Sequence, residues 1–340
     1  MRARVVGLLL GLTACTPPLD PPWLITGPRE LALDVEVIAQ GPYGEPIATG
    51  SRTPRDALPG DTLALAPVVV DAEGRLDPTE LEATWMLCNG IYGCLLRGDE
   101  VSQRPTCTGD EIQPRSPCRF ADGGRVTLTL ADLPEQIPLE GFTVFDLLTG
   151  PTVAMVASPP GGPGLEACLS RLDARARMDG CLLTERVLGL GPLGEMVALL
   201  EQAGIDPGIG PDADTLLARP RNRNPAVEEL VVSHGDETRV VAAGSVVAVP
   251  SDVEISLTVA ATDDDYDTYE VELEDQRVSF SDPLTAQWWL DTEVEQLEGT
   301  SGELTTRLLA EGPARVRVYV VLRDGYDGEG WGWLDLEVGG

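Results

Sequence analysis

The sequence predicts a mainly β protein, with two β-sandwiches joined by a short helical segment that contains a disulfide. Short runs of alternating apolar and polar residues, separated by turn residues, recur on both sides of the chain's middle, as is typical of sandwiches. Between them, Leu165, Leu169, Leu172 and Ala176 recur at helical spacing. Cys168 lies on this predicted helix and Cys181 just beyond it.

The N-terminus has the pattern of an export signal. Arg2 and Arg4 precede a short apolar run over Val5–Leu12, and small residues follow. This order is typical of a secretory signal peptide, here residues 1–14. The apolar run is far shorter than the roughly 20 residues that a membrane-spanning helix needs. The proline-rich residues 15–28 then predict an extended tether.

Leu12-Thr13-Ala14-Cys15 resembles the lipobox of bacterial lipoproteins. The resemblance implies that Cys15 is lipidated, so that the lipid makes the membrane a partner. Lipoproteins with Asp after this cysteine tend to stay at the inner membrane of Gram-negative cells. Thr16 and Pro17 do not match that pattern, so we expect the outer membrane, with a periplasmic or a surface-facing orientation left open.

Composition excludes several functions. Asp and Glu number 56 against 24 Lys and Arg, giving a net charge of −32. This charge repels phosphate backbones, so we expect no nucleic-acid partner. All of the basic residues are arginine, which excludes catalytic lysines. A single histidine, His234, cannot build a multi-histidine metal centre.

Six cysteines besides Cys15 predict disulfides, since an even number in an exported chain favours them. Fifteen pairings of six cysteines exist. Local sequence favours pairing each cysteine with its neighbour, and the spacings do not match those of zinc sites. The expected pairs are Cys88–Cys94, Cys107–Cys118 and Cys168–Cys181.

Two stretches resemble bacterial immunoglobulin-like and PKD-like domains. Over 29–158, the turn Pro59–Thr62 leads into an apolar strand and then a strand with Trp85. Over 222–340, Arg323-Asp324-Gly325 precedes the last strand. The resemblance implies two immunoglobulin-like sandwiches, the first with a cysteine-rich insertion at 88–118. Residues 159–221 are expected to form the helical segment and a linker.

Acidic residues near the C-terminus suggest a calcium site, because Ca²⁺ takes oxygen ligands from alternating carboxylates. The candidates are Asp263, Asp265 and Asp267, with Asp324 approaching from a second turn. The EF-hand pattern is absent. A solvated acidic turn, in which Asp side chains cap the local backbone, is the alternative. No other cofactor is expected.

Trp331 and Trp333 are the candidate ligand-binding aromatics. Alternate residues of a strand point to the same side, so the two rings share a face. They could stack on a sugar or a protein partner. Alternatively, they fill the core.

These observations favour a lipid-anchored cell-envelope protein that is not an enzyme. Its role would be binding or structural, with another envelope protein or a polysaccharide as partner. The alternative is a glycosidase-like hydrolase acting on an envelope polysaccharide, since two carboxylates suffice for glycoside cleavage.

Overall fold

The computed structural model describes residues 21–44, 54–89, 94–95, 100–109, 116–132, 150–202, 204, 217–262, 265–266, 268–273 and 276–339. Within them the protein is mainly β with several antiparallel sheets, as the sequence predicts. The described residues contain two α-helices, α1 (Leu165–Asp173) and α2 (Leu193–Gln202). Short 3-10 helices cover Pro78–Glu80 and Val101–Gln103.

The first half of the chain forms two sheets. Its strands are β1 (Arg29–Ala39), β2 (Thr62–Val70), β3 (Glu82–Asn89), β4 (Cys118–Asp122), β5 (Val126–Thr129), β6 (Pro151–Ser158) and β7 (Leu182–Val187). The first sheet has the order β1-β2-β5 and the second β4-β3-β6-β7. Leu65, Trp85 and Met155 are fully buried between them, together with other apolar side chains of both sheets.

Strand β7 was not predicted. It lies within 159–221, yet it pairs with β6 and completes the second sheet. The sheet therefore continues past the expected boundary at residue 158. Only one face of β7 is well buried, and Glu185 and Arg186 interrupt its apolar pattern, which explains why sequence alone gave no strand signal.

The second half of the chain forms two further sheets and a hairpin. The third sheet has the order β10-β18-β17-β14 and the fourth β15-β16-β11-β8-β9; β12 and β13 pair only with each other. The strands are β8 (Glu229–His234), β9 (Glu237–Ala242), β10 (Val246–Pro250), β11 (Glu254–Val259), β12 (Thr268–Leu273), β13 (Gln276–Ser281), β14 (Thr285–Leu290), β15 (Gln296–Glu298), β16 (Thr305–Leu309), β17 (Ala314–Arg323) and β18 (Glu329–Gly339).

A core also lies between the third and fourth sheets. Leu257 of β11, Leu308 of β16 and Leu322 of β17 are among its buried members. Trp288 is 1% exposed in this core, and its ring nitrogen donates to the Glu303 carbonyl at 3.4 Å. Alternate residues of β17, Val318, Val320 and Leu322, point to this core, as strand geometry requires.

The first and third sheets also face each other. Leu33, Leu63 and Val69 point into the first core, whereas neighbours of opposite parity point toward the third sheet. We call the resulting group the interface cluster. It comprises Ile25, Leu31, Ala32, Val68, Val70, Trp289, Tyr319 and Val321, with Trp331 and Trp333 at its margin. The four sheets are thus stacked in the order second, first, third, fourth.

Helix α1 and the disulfides Cys88–Cys94 and Cys168–Cys181 lie on the outer face of the second sheet, whereas Cys107–Cys118 borders the core between the first and second sheets. Cys168 and Leu169 of α1 pack on Met86 and Ala154 of the second sheet. Met196 and Leu200 of α2 pack on Leu58. The disulfides are Cys88–Cys94, Cys107–Cys118 and Cys168–Cys181, with Cα–Cα distances of 5.5, 5.0 and 5.7 Å. These are the pairs that the sequence favoured.

Candidate functional site

Trp331 and Trp333 project from the same face of β18, as strand periodicity predicts, toward the first sheet. An arginine guanidinium lies over each ring. The Cζ atom of Arg75 lies 4.4 Å from the Trp331 ring centroid, and that of Arg317 lies 4.8 Å from the Trp333 centroid. Such cation–π contacts are favourable. Both rings are half-buried, so a ligand stacking on them would have to displace an arginine.

Gly332, between the two tryptophans, allows Val227 to pack closely on the opposite face of β18. A side chain on Gly332 would meet Cγ1 of Val227 at 2.6 Å, measured from the Cβ position. The missing side chain lets Val227 pack closely, while both tryptophans face the interface cluster. The Trp-Gly-Trp pattern is therefore explained by packing on both faces of the strand.

Arg317 joins the two halves of the chain. Its Nε and Nη2 atoms donate to the buried Asp335 carboxylate at 2.7 and 3.1 Å, and Nη1 donates to the Glu73 carbonyl at 3.4 Å. Burial raises the pKa of Asp335, but hydrogen bonds from Arg317 and Arg315 outweigh it, so the pKa lies below its ordinary value. Asp335 therefore stays ionised and holds Arg317 against Trp333.

Two of the four calcium candidates lie within the described residues, and both bind backbone amides. Asp265 accepts from the Thr262 and Ala226 amides at 2.7 and 2.9 Å. Asp324 Oδ1 accepts from the Tyr326 and Gly328 amides, both at 2.8 Å. These are the capping contacts of the alternative interpretation.

The other two calcium candidates, Asp263 and Asp267, lie outside the described residues, as does Cys15. No group of three or more His, Cys, Asp or Glu side chains in the described part of the chain is arranged to hold a metal ion. A calcium site at these turns stays a prediction.

A buried charge network that the sequence did not suggest crosses the interface. Glu329 of β18 accepts from Arg323 Nε at 2.7 Å and lies 3.6 Å from Arg186 Nε. Its second oxygen accepts from the Leu33 amide of β1 at 2.8 Å. Arg186 also pairs with Glu30 at 3.2 Å. Residues so far apart in sequence give no local signal.

Burial dominates the electrostatics of Glu30, the first acid of this network. Desolvation raises its pKa, the Arg186 guanidinium lowers it, and the neighbouring Glu329 carboxylate raises it further. The side chains of Glu30 and Glu329 are 10% and 5% exposed. Glu30 and Glu329 thus form a pair of carboxyl groups. The pair lies inside the protein, and each carboxylate forms an ion pair with an arginine.

A second polar junction joins the loop before β2 to residues 219–224. The Asn222 amide donates to Asp56 at 3.1 Å, and the Asn222 side chain donates to the Tyr326 carbonyl at 3.1 Å. Burial raises the pKa of Asp56, and Arg55 opposes this. Nearby, Arg219 pairs with Asp282 at 3.1 Å and covers the Tyr326 ring. The junction fixes one end of the stacked sheets.

The surface of the described residues has open depressions. One of about 500 Å³ borders the Cys107–Cys118 disulfide and is lined by Phe120, Thr127 and Leu128 among others. Another, of about 670 Å³, runs along α1 and contains Glu100, Glu166 and Asp173. Asp173 accepts from the Val101 and Ser102 amides at 2.5 and 3.3 Å. That carboxylate is therefore engaged in fixing the Val101–Gln103 turn.

Neither described helix has the length and hydropathy needed to cross a membrane.

No protein-family model matches this sequence, and no curated protein does. Among solved structures, similarity is found to a nucleoside hydrolase-related hypothetical protein from Saccharophagus degradans that is associated with carbohydrate metabolism (13% identity, TM-score 0.23). It covers 51% of this chain, which spans only 38% of that chain.

Two other similar structures match most of this chain. The fibronectin(III)-like modules of Clostridium thermocellum CbhA cover 90% of it and 94% of their own length, at 10% identity and TM-score 0.21. Domains 4 and 5 of the S-layer protein SbsC cover 92% of it and 100% of their own length, at 10% identity and TM-score 0.18. At such TM-scores these likenesses carry no argument about function.

Proposed function

We propose that this protein is a lipid-anchored cell-envelope protein with a non-catalytic binding or structural role, whose partner is another envelope protein or a polysaccharide. In this proposal the chain carries two immunoglobulin-like sandwich domains, over 29–158 and 222–340. The lipid on Cys15 holds them at the outer membrane of a Gram-negative cell. The observation that carries the proposal is the lipobox-like Leu12-Thr13-Ala14-Cys15 behind a basic, apolar leader.

Cysteine usage supports an exported location. All six cysteines after Cys15 form disulfides with Cα–Cα distances of 5.0–5.7 Å, within the usual range. Disulfides persist in oxidising compartments such as the periplasm and are rare in the cytosol. Three structural disulfides therefore agree with the export signal.

The position of the carboxylates supports a non-catalytic role. Glycoside hydrolysis needs two carboxyl groups that flank the substrate in an accessible site. In the described residues, Glu30 and Glu329 share Arg186 but are buried in the interface. The open groove along α1 contains Glu100, Glu166 and Asp173; Asp173 accepts backbone hydrogen bonds and Glu100 accepts one from the Gln103 side chain.

The lipid anchor is tested by Cys15→Ser in the full chain. We expect the variant to keep its fold and to leave the membrane fraction, because acyl chains contribute about 0.8 kcal/mol per buried CH₂. Fractionation and labelling with a radioactive fatty acid measure both effects. Thr16→Ser, which keeps Cys15, is the matched control. Membrane retention of Cys15→Ser would overturn the proposal.

The outer-membrane location is tested by Thr16→Asp. An Asp after the lipidated cysteine matches the inner-membrane retention pattern, so this variant should move to the inner membrane while remaining acylated. Density-gradient separation of the two membranes is the measurement. An unchanged distribution would contradict the proposed outer-membrane location but leave the lipid anchor standing.

A further inference from the structure

Residues Trp23–Ile25, here called the anchor segment, pair with the edge of β14 through one parallel bridge. The Ile25 amide donates to the Leu290 carbonyl at 2.8 Å, and the Leu290 amide donates to the Trp23 carbonyl at 2.9 Å. Leu24 and Leu290 form a parallel bridge. The chain is thus fixed to the third sheet only a few residues after Cys15.

Side chains fix the anchor segment between the two cores. Ile25 is 1% exposed and belongs to the interface cluster, in contact with the first and third sheets. Trp23 packs against the core between the third and fourth sheets. Arg29 donates to the Pro22 carbonyl at 2.5 Å. The point of attachment therefore lies at the junction of both halves of the molecule.

The chain between Cys15 and this attachment is short. Eight peptide steps separate Cys15 from Trp23. At about 3.3–3.6 Å per residue they span at most about 29 Å, and in a polyproline conformation, at about 3.1 Å per residue, about 25 Å. A tether free through residue 28 would span up to about 50 Å at the same maximum rise.

The length of the tether limits the orientations that the protein can adopt on a membrane. A compact chain of this length has a radius of gyration of about 20 Å, hence a diameter of about 50 Å. A tether of about 50 Å would let the attachment point rise well above the middle of a molecule of this size. A tether of about 25–29 Å lets it rise only to about half the height, about 25 Å, so the attachment edge cannot lie on the side that faces away from the membrane.

We infer that the anchor segment holds the protein at the junction of its two cores, with the β14 edge toward the phospholipid head groups and both cores beside the bilayer. The inference rests on the proposed anchor at Cys15. It differs from domains arranged in series, which would put the second core far from the membrane. The net charge of −32 disfavours tight adsorption on anionic lipid. The attachment, not adsorption, therefore sets the orientation.

The test uses residues 15–340 coupled through Cys15 to a maleimide phospholipid in vesicles of phosphatidylethanolamine and phosphatidylglycerol. Coupling the lipid chemically separates this test from lipidation in the cell. A genetically encoded fluorescent amino acid replaces Ile38 or Val240, which are 51% and 59% exposed and belong to the first and second halves. Energy transfer to a head-group acceptor reports each distance.

We expect comparable transfer from both positions. A flexible insertion of about twelve Gly and Ser residues between Asp20 and Pro21 leaves the anchor segment bound but lengthens the tether, and should lower transfer from both. Ile25→Pro removes the amide that donates to the Leu290 carbonyl, so it should also lower energy transfer from both positions. Circular dichroism checks that this variant is folded.

Strong transfer from position 38 with none from position 240 would overturn the inference, as would transfer that the insertion leaves unchanged. Neither result would contradict the proposed lipid anchor, which is tested separately by fractionation of Cys15→Ser. Conversely, loss of the lipid proposal in cells would leave the distances measured on the coupled chain intact.

Discussion

At the scale of single residues, the charged side chains that join the two halves of the chain include acids buried inside the protein. The acidic excess suggests a solvated surface, yet Glu329 and Asp335 are 5% and 1% exposed and are paired with arginines. Arginine suits this role because its planar guanidinium donates several hydrogen bonds in fixed directions and is never deprotonated. Buried acids and arginines thus fix the contact between the two halves.

Replacing Glu329 should therefore be costly. Glu329→Ala leaves Arg323 without its carboxylate partner and the Leu33 amide without an acceptor. Removing one partner of a buried pair typically costs about 3–5 kcal/mol. We expect a loss of this size in the free energy of unfolding, measured with denaturant. Glu337→Ala, at an exposed position of the same strand, should change it little; equal effects of the two variants would contradict the role of the network.

Asp34 should make stability depend on pH. Burial raises its pKa from the ordinary 3.8 to about 6, while Arg75 lowers it and Glu36 and Glu329 raise it. Because the folded protein binds this proton more tightly than the unfolded chain, Asp34 stabilises the fold less as pH rises from about 4 to about 6.

Asp34→Asn removes that dependence. Relative to the wild type, the variant should gain stability at pH 7 but not below pH 4, because both side chains are then uncharged. Thermal unfolding of the two proteins across this pH range measures the difference. A difference in melting temperature that is independent of pH would contradict the raised pKa.

At the scale of elements, two strands are covered on both faces. β17 places Val318 and Val320 in one core and Tyr319 and Val321 in the interface cluster. β2 likewise ends in a continuous apolar run, Pro67–Val70. Such runs are typical of strands buried on both sides. They mark, in retrospect, where the first and third sheets meet.

The disulfide across α1 is the element most open to a direct test. Cys168 and Cys181 enclose a loop with a sequence separation of 13. Cross-linking a loop of about 15 residues contributes about 3 kcal/mol by the chain-entropy account. Replacing both cysteines by Ala should lower the free energy of unfolding by about this amount. Trypsin should then cleave faster after Arg175 and Arg177, which are exposed but held in a closed loop by the disulfide.

Replacing Cys107 and Cys118 by Ala provides the matched control. Its separation of 11 is similar, so the loss of stability should be comparable. Cleavage at Arg175 and Arg177 should not increase, because that disulfide does not hold α1. Cleavage there in both variants would show that the whole fold, and not α1 alone, had opened.

At the scale of the molecule, the interface cluster should make the two halves unfold together. Trp289 of β14 is 5% exposed within it. Trp289→Ala leaves a cavity, and such truncations cost about 3–5 kcal/mol. We expect one calorimetric transition in the wild type and two in the variant. Val240→Ala, at an exposed position, should keep a single transition; if Trp289→Ala also keeps it at the wild-type temperature, the halves are not coupled there.

Much of the local structure could be predicted from sequence. The alternation at Leu31–Ala39 matches β1, the apolar run at Thr62–Val70 matches β2, and the periodicity around Leu165 matches α1. Pairing each cysteine with its nearest neighbour in sequence predicted the three disulfides correctly. Strands β4, β7, β10 and β13–β16 were missed, because short or mixed strands have no distinctive periodicity.

Sequence by itself determined what depends on neighbours along the chain: the class of fold, the disulfide pairs and the pattern at Cys15 that favours an anchored protein. Tertiary structure alone decided what surrounds the aromatic candidates and which acids are buried in the interface. Trp331 and Trp333 are covered by Arg75 and Arg317, and Glu329 contacts Leu33. The physical reason is that these contacts join residues remote in the chain, and burial, which sets their energy, depends on how the sheets stack.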